Sequence, residues 1–97
     1  MAASKEDIRW WLQRGVQQGA THCIVCCDTY DHEDYPHYVK SGEDPRAYKP
    51  GEMQRIMEVY ALHLDIEAQL SERRAFHYEA APVIEAAPVI PGLETLR

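Results

Sequence analysis

Two short apolar runs separated by seven residues constrain the fold of this 97-residue chain more than any other feature. The first run spans 21–27 (THCIVCC) and the second spans 35–40 (YPHYVK). Both are rich in β-branched, aromatic or small apolar residues, which favour strands. A parallel crossover needs a dozen or more residues, so these two strands are expected to pair antiparallel. Pro36 lacks the N–H that a sheet ladder uses, so we expect the second strand at the edge of the sheet or only weakly paired near its start.

Two helices are predicted, one on each side of this hairpin in the sequence. Residues 4–18 carry an apolar stripe between Ser4, which can cap a helix, and Gly19, which can end one. Residues 52–76 carry two adjacent apolar rows at helical spacing, which predicts one long helix. The stripe comprises Ile8, Trp11, Leu12 and Val16; the rows comprise Ile56, Val59, His63, Ile66 and Leu70, and then Met53, Met57, Tyr60 and Leu64.

Together these segments predict an α+β fold in the order helix–strand–strand–long helix, with the antiparallel hairpin packed against both helices. Residues 41–51 contain two prolines and two glycines and are the predicted loop. His63 lies within the apolar rows, where a hydrogen-bonded core histidine is expected rather than a ligand. The opposite face of the predicted long helix reads Gln54, Glu58, Ala61, Asp65, Ala68 and Glu72.

A change of composition after residue 78 divides the chain into a predicted α+β domain, 1–78, and a tail, 79–97. The tail contains EAAPVI twice, at 79–84 and 85–90, followed by PGLETLR. Proline at this spacing breaks helices and favours an extended chain. We expect a tail that is flexible or docked on a partner, and one alternative function is that of a carrier for this docking peptide.

The charge balance narrows the classes of partner. Sixteen acidic residues against ten basic residues give a formal net charge of −6. Nucleic-acid binding needs clustered lysine and arginine, and an anionic membrane surface repels an acidic protein. No apolar run approaches the roughly 18 residues that span a bilayer. We therefore expect neither a nucleic acid nor a membrane among the partners.

The cysteines and the chain length bear on compartment and assembly. Three cysteines, two of them adjacent, do not make a disulfide framework, and the start of the sequence, MAASKEDIRWW, lacks the pattern of a secretory signal. A cytoplasmic location is therefore expected. A chain this short buries only about 60–65% of its unfolded surface, so we expect a homodimer or larger, joined through the long helices or by sheet extension.

The first strand contains a Cys-x-x-Cys motif, which is typical of half a zinc site. Its potential ligands are His22, Cys23, Cys26 and Cys27. Side chains alternate along a strand, so Cys26 faces the other side of the sheet from Cys23 and Cys27. The sequence has no second Cys-x-x-Cys or His-x3-His pair to complete the shell. Core thiols are therefore expected rather than a zinc site or a redox pair.

The acidic, tyrosine-rich stretch after the first strand is the predicted site. Carboxylates, histidines and tyrosines suit contact with a protein or a small polar ligand. The predicted function is therefore that of a small binding module with no catalytic residues and no cofactor. The predicted ligand- or partner-binding residues are Asp28, Tyr30, Asp31, His32, Glu33, Asp34, Tyr35, His37 and Tyr38.

Clustered carboxylates also suit hard divalent cations, which leaves a metal-dependent hydrolase as an alternative. Asp28, Asp31 and Glu33 would hold Mg²⁺ or Mn²⁺, and His32 or His37 would act as the base. The stretch is not an EF-hand, because the glycine at the sixth position and the terminal glutamate are missing. Whether the protein is an enzyme stays open, with the non-catalytic function favoured.

Two stretches, GATHCIVCCDTYDHEDYPHYV and MQRIMEVYALHLDIEAQL, resemble a group of small uncharacterised bacterial and phage or prophage proteins. These share patterns like GATHxIVxCDTxDxEDYPxYV and MEVYxLxxDxExQL, and the resemblance covers roughly residues 5–78. It implies a cytoplasmic setting and a phage association, as expected of an inhibitor of a host system or a binder of a signalling molecule. It transfers no activity.

Overall fold

The computed structural model describes residues 3–82. These residues form two helices and one three-stranded antiparallel sheet. In chain order the elements are α1 (Lys5–Gln18), β1 (His22–Asp28), β2 (Glu33–Val39), β3 (Gln54–Ala61) and α2 (Ile66–Glu72), with a 3₁₀ turn at Pro45–Ala47. The strand order is β2-β1-β3, so β1 is central. The predicted α+β class is confirmed.

The predicted hairpin is confirmed, and its two strands pair antiparallel along their whole length. The register runs from His22 opposite Val39 to Asp28 opposite Glu33. Pro36 lies in β2, which is an edge strand, as its missing N–H predicts. Residues 29–32 connect the strands and, with the flanking Asp28 and Glu33, are called the hairpin tip below.

The predicted long helix over 52–76 is wrong, because this region contains β3, a turn and the short helix α2. The pairing of β1 with β3 shifts by one residue between Val25 and Cys26. The cause is a β-bulge, in which β3 has one more residue than β1. Cys26 consequently lies opposite Ile56, and Ile24 lies opposite Val59, so two β3 residues three apart face the same side of the sheet. Three-residue spacing is typical of a helix, and the bulge reproduces it within a strand.

The core lies on both faces of the sheet. Both helices cover one face, called the helix face, whose buried residues are Ile8, Leu12, Cys23, Val25, Tyr60, Leu62 and Leu70. The other face, called the loop face, buries Ile24, Cys26, Val39 and Val59 against partly buried Tyr35, Tyr48, Ile56 and Tyr78. The alternation predicted for the cysteines is confirmed, since Cys23 and Cys26 belong to different clusters.

Helix α1 begins and ends as predicted, and a glycine inside it permits close packing. Ser4 caps the helix in a reciprocal pair of 3.1 Å hydrogen bonds with Asp7, and Gly19 ends it with a left-handed φ of 81°. A Cβ on Gly15 would lie 2.7 Å from Leu62 Cδ1 and 2.9 Å from Tyr38 Cε1. Glycine therefore lets α1 approach the sheet.

After α2 the chain runs beside the outer edge of β3. Val59 N donates to Ala75 O at 3.0 Å, and His77 N donates to Val59 O at 2.9 Å, which makes a single parallel bridge centred on Phe76. Of the predicted tail, only 79–82 belongs to the described chain. The domain boundary at residue 78 stays a prediction, and the flexible or partner-docked tail predicted for 83–97 lies outside the described residues.

The predicted self-association through paired long helices is excluded, because α2 ends after seven residues and the predicted long helix does not exist within 3–82. Sheet extension through the outer edge of β2 stays a prediction. Across the same residues, neither helix has the length and apolar character needed to cross a membrane.

Candidate functional site

The hairpin tip is organised by hydrogen bonds between its own residues. Asp28 Oδ1 accepts from Tyr30 N at 2.9 Å, and Asp28 O accepts from His32 N at 2.7 Å. Asp31 Oδ1 accepts from Glu33 N at 3.2 Å. Aspartate favours such turns because its side chain reaches the backbone N–H two residues on. The six residues of the hairpin tip, 28–33, therefore form one turn held by its own hydrogen bonds.

A second turn, between the 3₁₀ segment and β3, braces the hairpin tip. Thr29 N and Thr29 Oγ1 both donate to Met53 O, at 2.7 and 2.8 Å. Met53 has a φ of 64°, which is uncommon for a residue with a side chain. Its side chain is 57% exposed, and that of Tyr30 is 78% exposed. An aromatic ring and a thioether thus stand in solvent at the same end of the sheet.

The carboxylates of the hairpin tip are not gathered around a common point. Within residues 3–82, no three His, Cys, Asp or Glu side chains form a group that could hold a metal ion. Asp28 and Asp31 instead accept hydrogen bonds from nearby backbone amides. The alternative site of Asp28, Asp31 and Glu33 stays a prediction without a described ligand group.

Strand alternation sends two of the predicted site residues to the helix face. Asp34 Oδ2 accepts from Ala3 N at 3.0 Å, and Tyr38 OH donates to Trp11 O at 2.9 Å. Burial raises the pKa of Tyr38, which keeps its hydroxyl protonated as a donor. Both side chains hold the N-terminal part of the chain against the sheet.

The same alternation sends Tyr35 and His37 to the loop face. Tyr35 packs against the buried cluster that contains Cys26. The His37 ring stacks on Tyr48, with centroids 4.0 Å apart and planes 20° apart. The structure therefore brings together five of the nine predicted residues, Asp28, Tyr30, Asp31, His32 and Glu33, at the hairpin tip. The other four lie along β2 on the two faces of the sheet, and of these Asp34 shares a small pocket with His32.

A buried carboxylate that sequence reasoning missed lies on the helix face of β3. Glu58 is 2% exposed and accepts from Tyr60 OH at 2.6 Å and from Arg73 Nε at 3.2 Å, while Arg74 Nε lies 3.8 Å away. Arg73 and Arg74 have φ values of 52° and 59°. Leaving a buried charge unpaired costs several kcal/mol, on the order of 3–5, and the two arginines at these uncommon φ values supply the pairing.

A small pocket of about 200 Å³ adjoins this carboxylate. Cys27, His32, Asp34, Met57, Glu58, Arg73 and Arg74 line it. Burial raises the pKa of the Cys27 thiol, and the neighbouring Asp34 raises it further. A protonated thiol is a weak nucleophile, so this pocket is poorly suited to cysteine catalysis.

A larger open cleft of about 1050 Å³ lies at the opposite end of the sheet from the hairpin tip. Its lining comes from the end of α1, the loop 41–46, the turn after β3 and the segment 78–82. Arg46 crosses from the loop to that segment, with its guanidinium carbon 4.6 Å from the Tyr78 ring centroid. The cleft was not predicted, because its parts are distant in sequence.

Two histidines line this cleft, with ring centroids 5.7 Å apart. His22 is 1% exposed; its Nδ1 lies 2.9 Å from Thr21 Oγ1, and its Nε2 lies 2.7 Å from Glu79 O. A carbonyl oxygen only accepts, so Nε2 carries a proton and donates. Burial lowers the pKa of His22, which favours the neutral ring.

His63 differs from its predicted role as a hydrogen-bonded core histidine. It lies in the turn after β3, and its buried Nδ1 has no hydrogen-bond partner within residues 3–82. A buried polar atom without a partner costs about 1–3 kcal/mol. The prediction is wrong because it placed His63 inside a helix.

Comparison of the chain with protein-family models, curated proteins and solved structures found no match. The resemblance of the GATH-type motif to bacterial and phage proteins stays a prediction.

Proposed function

We propose that this protein is a small non-catalytic binding module whose hairpin tip contacts a basic segment of a partner protein. The observation that carries the proposal is Tyr30, which is 78% exposed on a turn held by hydrogen bonds. A tyrosine on an ordered turn offers a large amphipathic contact area at low entropic cost. Met53, joined to the hairpin tip through Thr29, extends the apolar part of this surface.

The charges around these apolar groups support a basic partner. Asp31 and Glu33 are exposed on the hairpin tip, and Glu52 is exposed on the adjacent turn. The formal net charge of −6 adds a long-range field of the same sign. Such a field accelerates association with a lysine- or arginine-rich segment, and salt weakens the effect.

Burial of the potential nucleophiles supports a binding function over a catalytic one. It raises the pKa of Cys23 to about 12 and also raises the pKa values of Cys26 and Cys27. Thiols in this state react slowly, because the thiolate is the nucleophile. The buried Glu58 carboxylate is already paired with Tyr60 and an arginine.

The cytoplasmic setting, the phage association and self-association belong to the same proposal. Three free thiols suit a reducing compartment. The GATH-type motif supports the phage association, and the open outer edge of β2 supports assembly by sheet extension.

The proposal is tested with a displayed library of random short peptides selected on the immobilised full chain. The selected peptides should be enriched in lysine and arginine. The selected peptides are then synthesised, and their binding to the chain is measured by fluorescence anisotropy. Tyr30→Ala should weaken this binding by about 1–3 kcal/mol, or roughly tenfold to a hundredfold. Asp31→Asn should weaken binding less and should reduce its salt dependence.

Trp10→Ala is the matched control, since Trp10 is a similarly exposed aromatic residue, 56%, on α1. It should leave the affinity of the same peptides unchanged. Selected peptides without basic residues, or equal losses with Tyr30→Ala and Trp10→Ala, would contradict the proposal.

A further inference from the structure

The segment that follows the parallel bridge is already seated at the cleft. Residues 78–82 contribute to its lining, and Glu79 O is hydrogen bonded to the buried His22 at 2.7 Å. The Tyr78 ring is covered by the Arg46 guanidinium from the opposite loop. These contacts hold Tyr78 and Glu79 against the domain, and residues 80–82 follow along the cleft.

The chain beyond Pro82 repeats the sequence that is seated there. EAAPVI occurs at 79–84 and again at 85–90, so 85–88 has the same sequence as 79–82. The fifteen residues 83–97 also contain the aliphatic side chains Val83, Ile84, Val89, Ile90, Leu93 and Leu96. The described chain thus ends at the cleft, and these aliphatic residues follow it in the sequence.

The cleft has space for such a segment, and its lining includes an exposed apolar side chain and a polar atom without a hydrogen-bond partner in the described part of the chain. With residues 78–82 in place as part of its lining, its volume is about 1050 Å³, at the upper end of the range for ligand pockets, roughly 300–1,000 Å³. Val16 on its α1 side is 50% exposed, and Leu62 also lines it. His63, in the same lining, has a buried Nδ1 without a partner within residues 3–82.

We propose that residues 83–97 fold back into the cleft of their own chain, with the second EAAPVI copy lying beside the first. The apolar wall at Val16 and Leu62 would take aliphatic side chains of the repeat, and His63 Nδ1 would donate to one of its backbone carbonyls. Proline favours an extended backbone that is low in entropy before docking, which suits such a groove. The hairpin tip at the other end of the sheet would stay free for its partner.

A labelled peptide tests this against the full chain. The probe is a fluorescein-tagged synthetic peptide of residues 83–97, titrated into wild type and into a full-length variant with Val83, Ile84, Val89 and Ile90 all changed to Ser. A tethered segment competes at an effective concentration on the order of millimolar. The peptide should therefore bind the serine variant at least about tenfold more tightly than wild type.

Val16→Glu in the serine variant should abolish this binding, whereas Gln17→Glu, which adds the same charge one residue further along α1, should not. Backbone amide NMR shifts between wild type and the serine variant should cluster at the cleft, at 16, 41–46 and 62–63. Equal peptide affinity for both chains, no binding to either, or equal effects of the two glutamates would overturn the proposal. Shift differences that disappear on dilution would place the segment in a second copy and would also overturn it.

Discussion

Replacing Gly15 by alanine tests how closely α1 approaches the sheet. The new Cβ would lie 2.7 Å from Leu62 Cδ1 and 2.9 Å from Tyr38 Cε1, both shorter than ordinary van der Waals contacts. Leu62 lines the open cleft and has room to move its methyl group. Tyr38 is held by the hydrogen bond from its hydroxyl to Trp11 O, so its ring cannot retreat as easily.

Two opposing terms decide the sign of the effect. Overpacking a well-filled site costs about 1–3 kcal/mol. Alanine is more favourable than glycine inside a helix by about 1 kcal/mol. The new Cβ would clash with both Leu62 and Tyr38, and the Tyr38 ring is held in place. We therefore expect the steric cost to exceed the gain in helix propensity, so that Gly15→Ala destabilises the protein by about 1–2 kcal/mol. For a domain of this size that corresponds to a fall of about 5–15 °C in Tm.

Urea unfolding followed by circular dichroism measures the change in the free energy of unfolding. Gly15→Ala, Leu62→Ala and the double variant form a cycle. Leu62→Ala should cost less in the Gly15→Ala background, because removing the Leu62 methyl groups relieves one of the two clashes. A Gly15→Ala protein more stable than wild type, as helix propensity alone predicts, would refute the packing described for α1, Leu62 and Tyr38.

Three further predictions concern buried polar groups. Gln69 is 4% exposed; it accepts from Ala61 N at 2.8 Å and donates to Ala61 O at 2.9 Å. Because Gln69→Leu removes both of these buried hydrogen bonds, it should lower the free energy of unfolding by about 2–4 kcal/mol in urea melts. A loss under about 0.5 kcal/mol would contradict this. Tyr60→Phe removes a donor from buried Glu58 and should cost about 1–3 kcal/mol in the same assay, more than Tyr30→Phe at the exposed hairpin tip. Burial lowers the pKa of His22 from 6.5, so the unfolded chain binds this proton more readily; the stability contributed is present above pH 6.5 and is lost as the pH falls below it. Urea midpoints between pH 7.5 and 5.5 should therefore fall less steeply in His22→Gln, and identical slopes would contradict the burial of that ring.

Local signals were sufficient for the first half of the fold. The capping pair of Ser4 and Asp7 and the stop at Gly19 define α1 from neighbouring residues alone. The seven-residue separation fixes the hairpin as antiparallel, and Pro36 fixes β2 as an edge strand. These features depend on backbone chemistry within a few residues.

The second half depends on a long-range pairing that local spacing misrepresents. β3 forms because β1 has a second edge to pair, and the bulge at Cys26 gives Ile56 and Val59 a helix-like separation. The same error placed Glu58 on the more polar face of a helix, whereas alternation along β3 turns it into the core beside Tyr60. A bulge of one residue cannot be read from the sequence of one strand.

The candidate site was predictable in place but only partly in composition. Asp28 and Asp31 are turn-forming residues, so the exposed tip with Tyr30 follows from the sequence. Applying strand alternation to β2 would also have separated Tyr35 and Tyr38, which face opposite sides of the sheet. The cleft at the other end arises from four segments distant in sequence, and no local pattern predicts it.

The most direct test of the binding function is amide NMR mapping of the full chain with a selected lysine- or arginine-rich peptide. We expect the largest chemical-shift changes at 28–34 and 51–55, which include the hairpin tip and the turn that braces it. Tyr30→Ala should remove those changes at the same peptide concentration, and Trp10→Ala should retain them. Changes that cluster instead at the cleft around His63, or that persist in Tyr30→Ala, would contradict the assignment of the hairpin tip as the partner-binding surface.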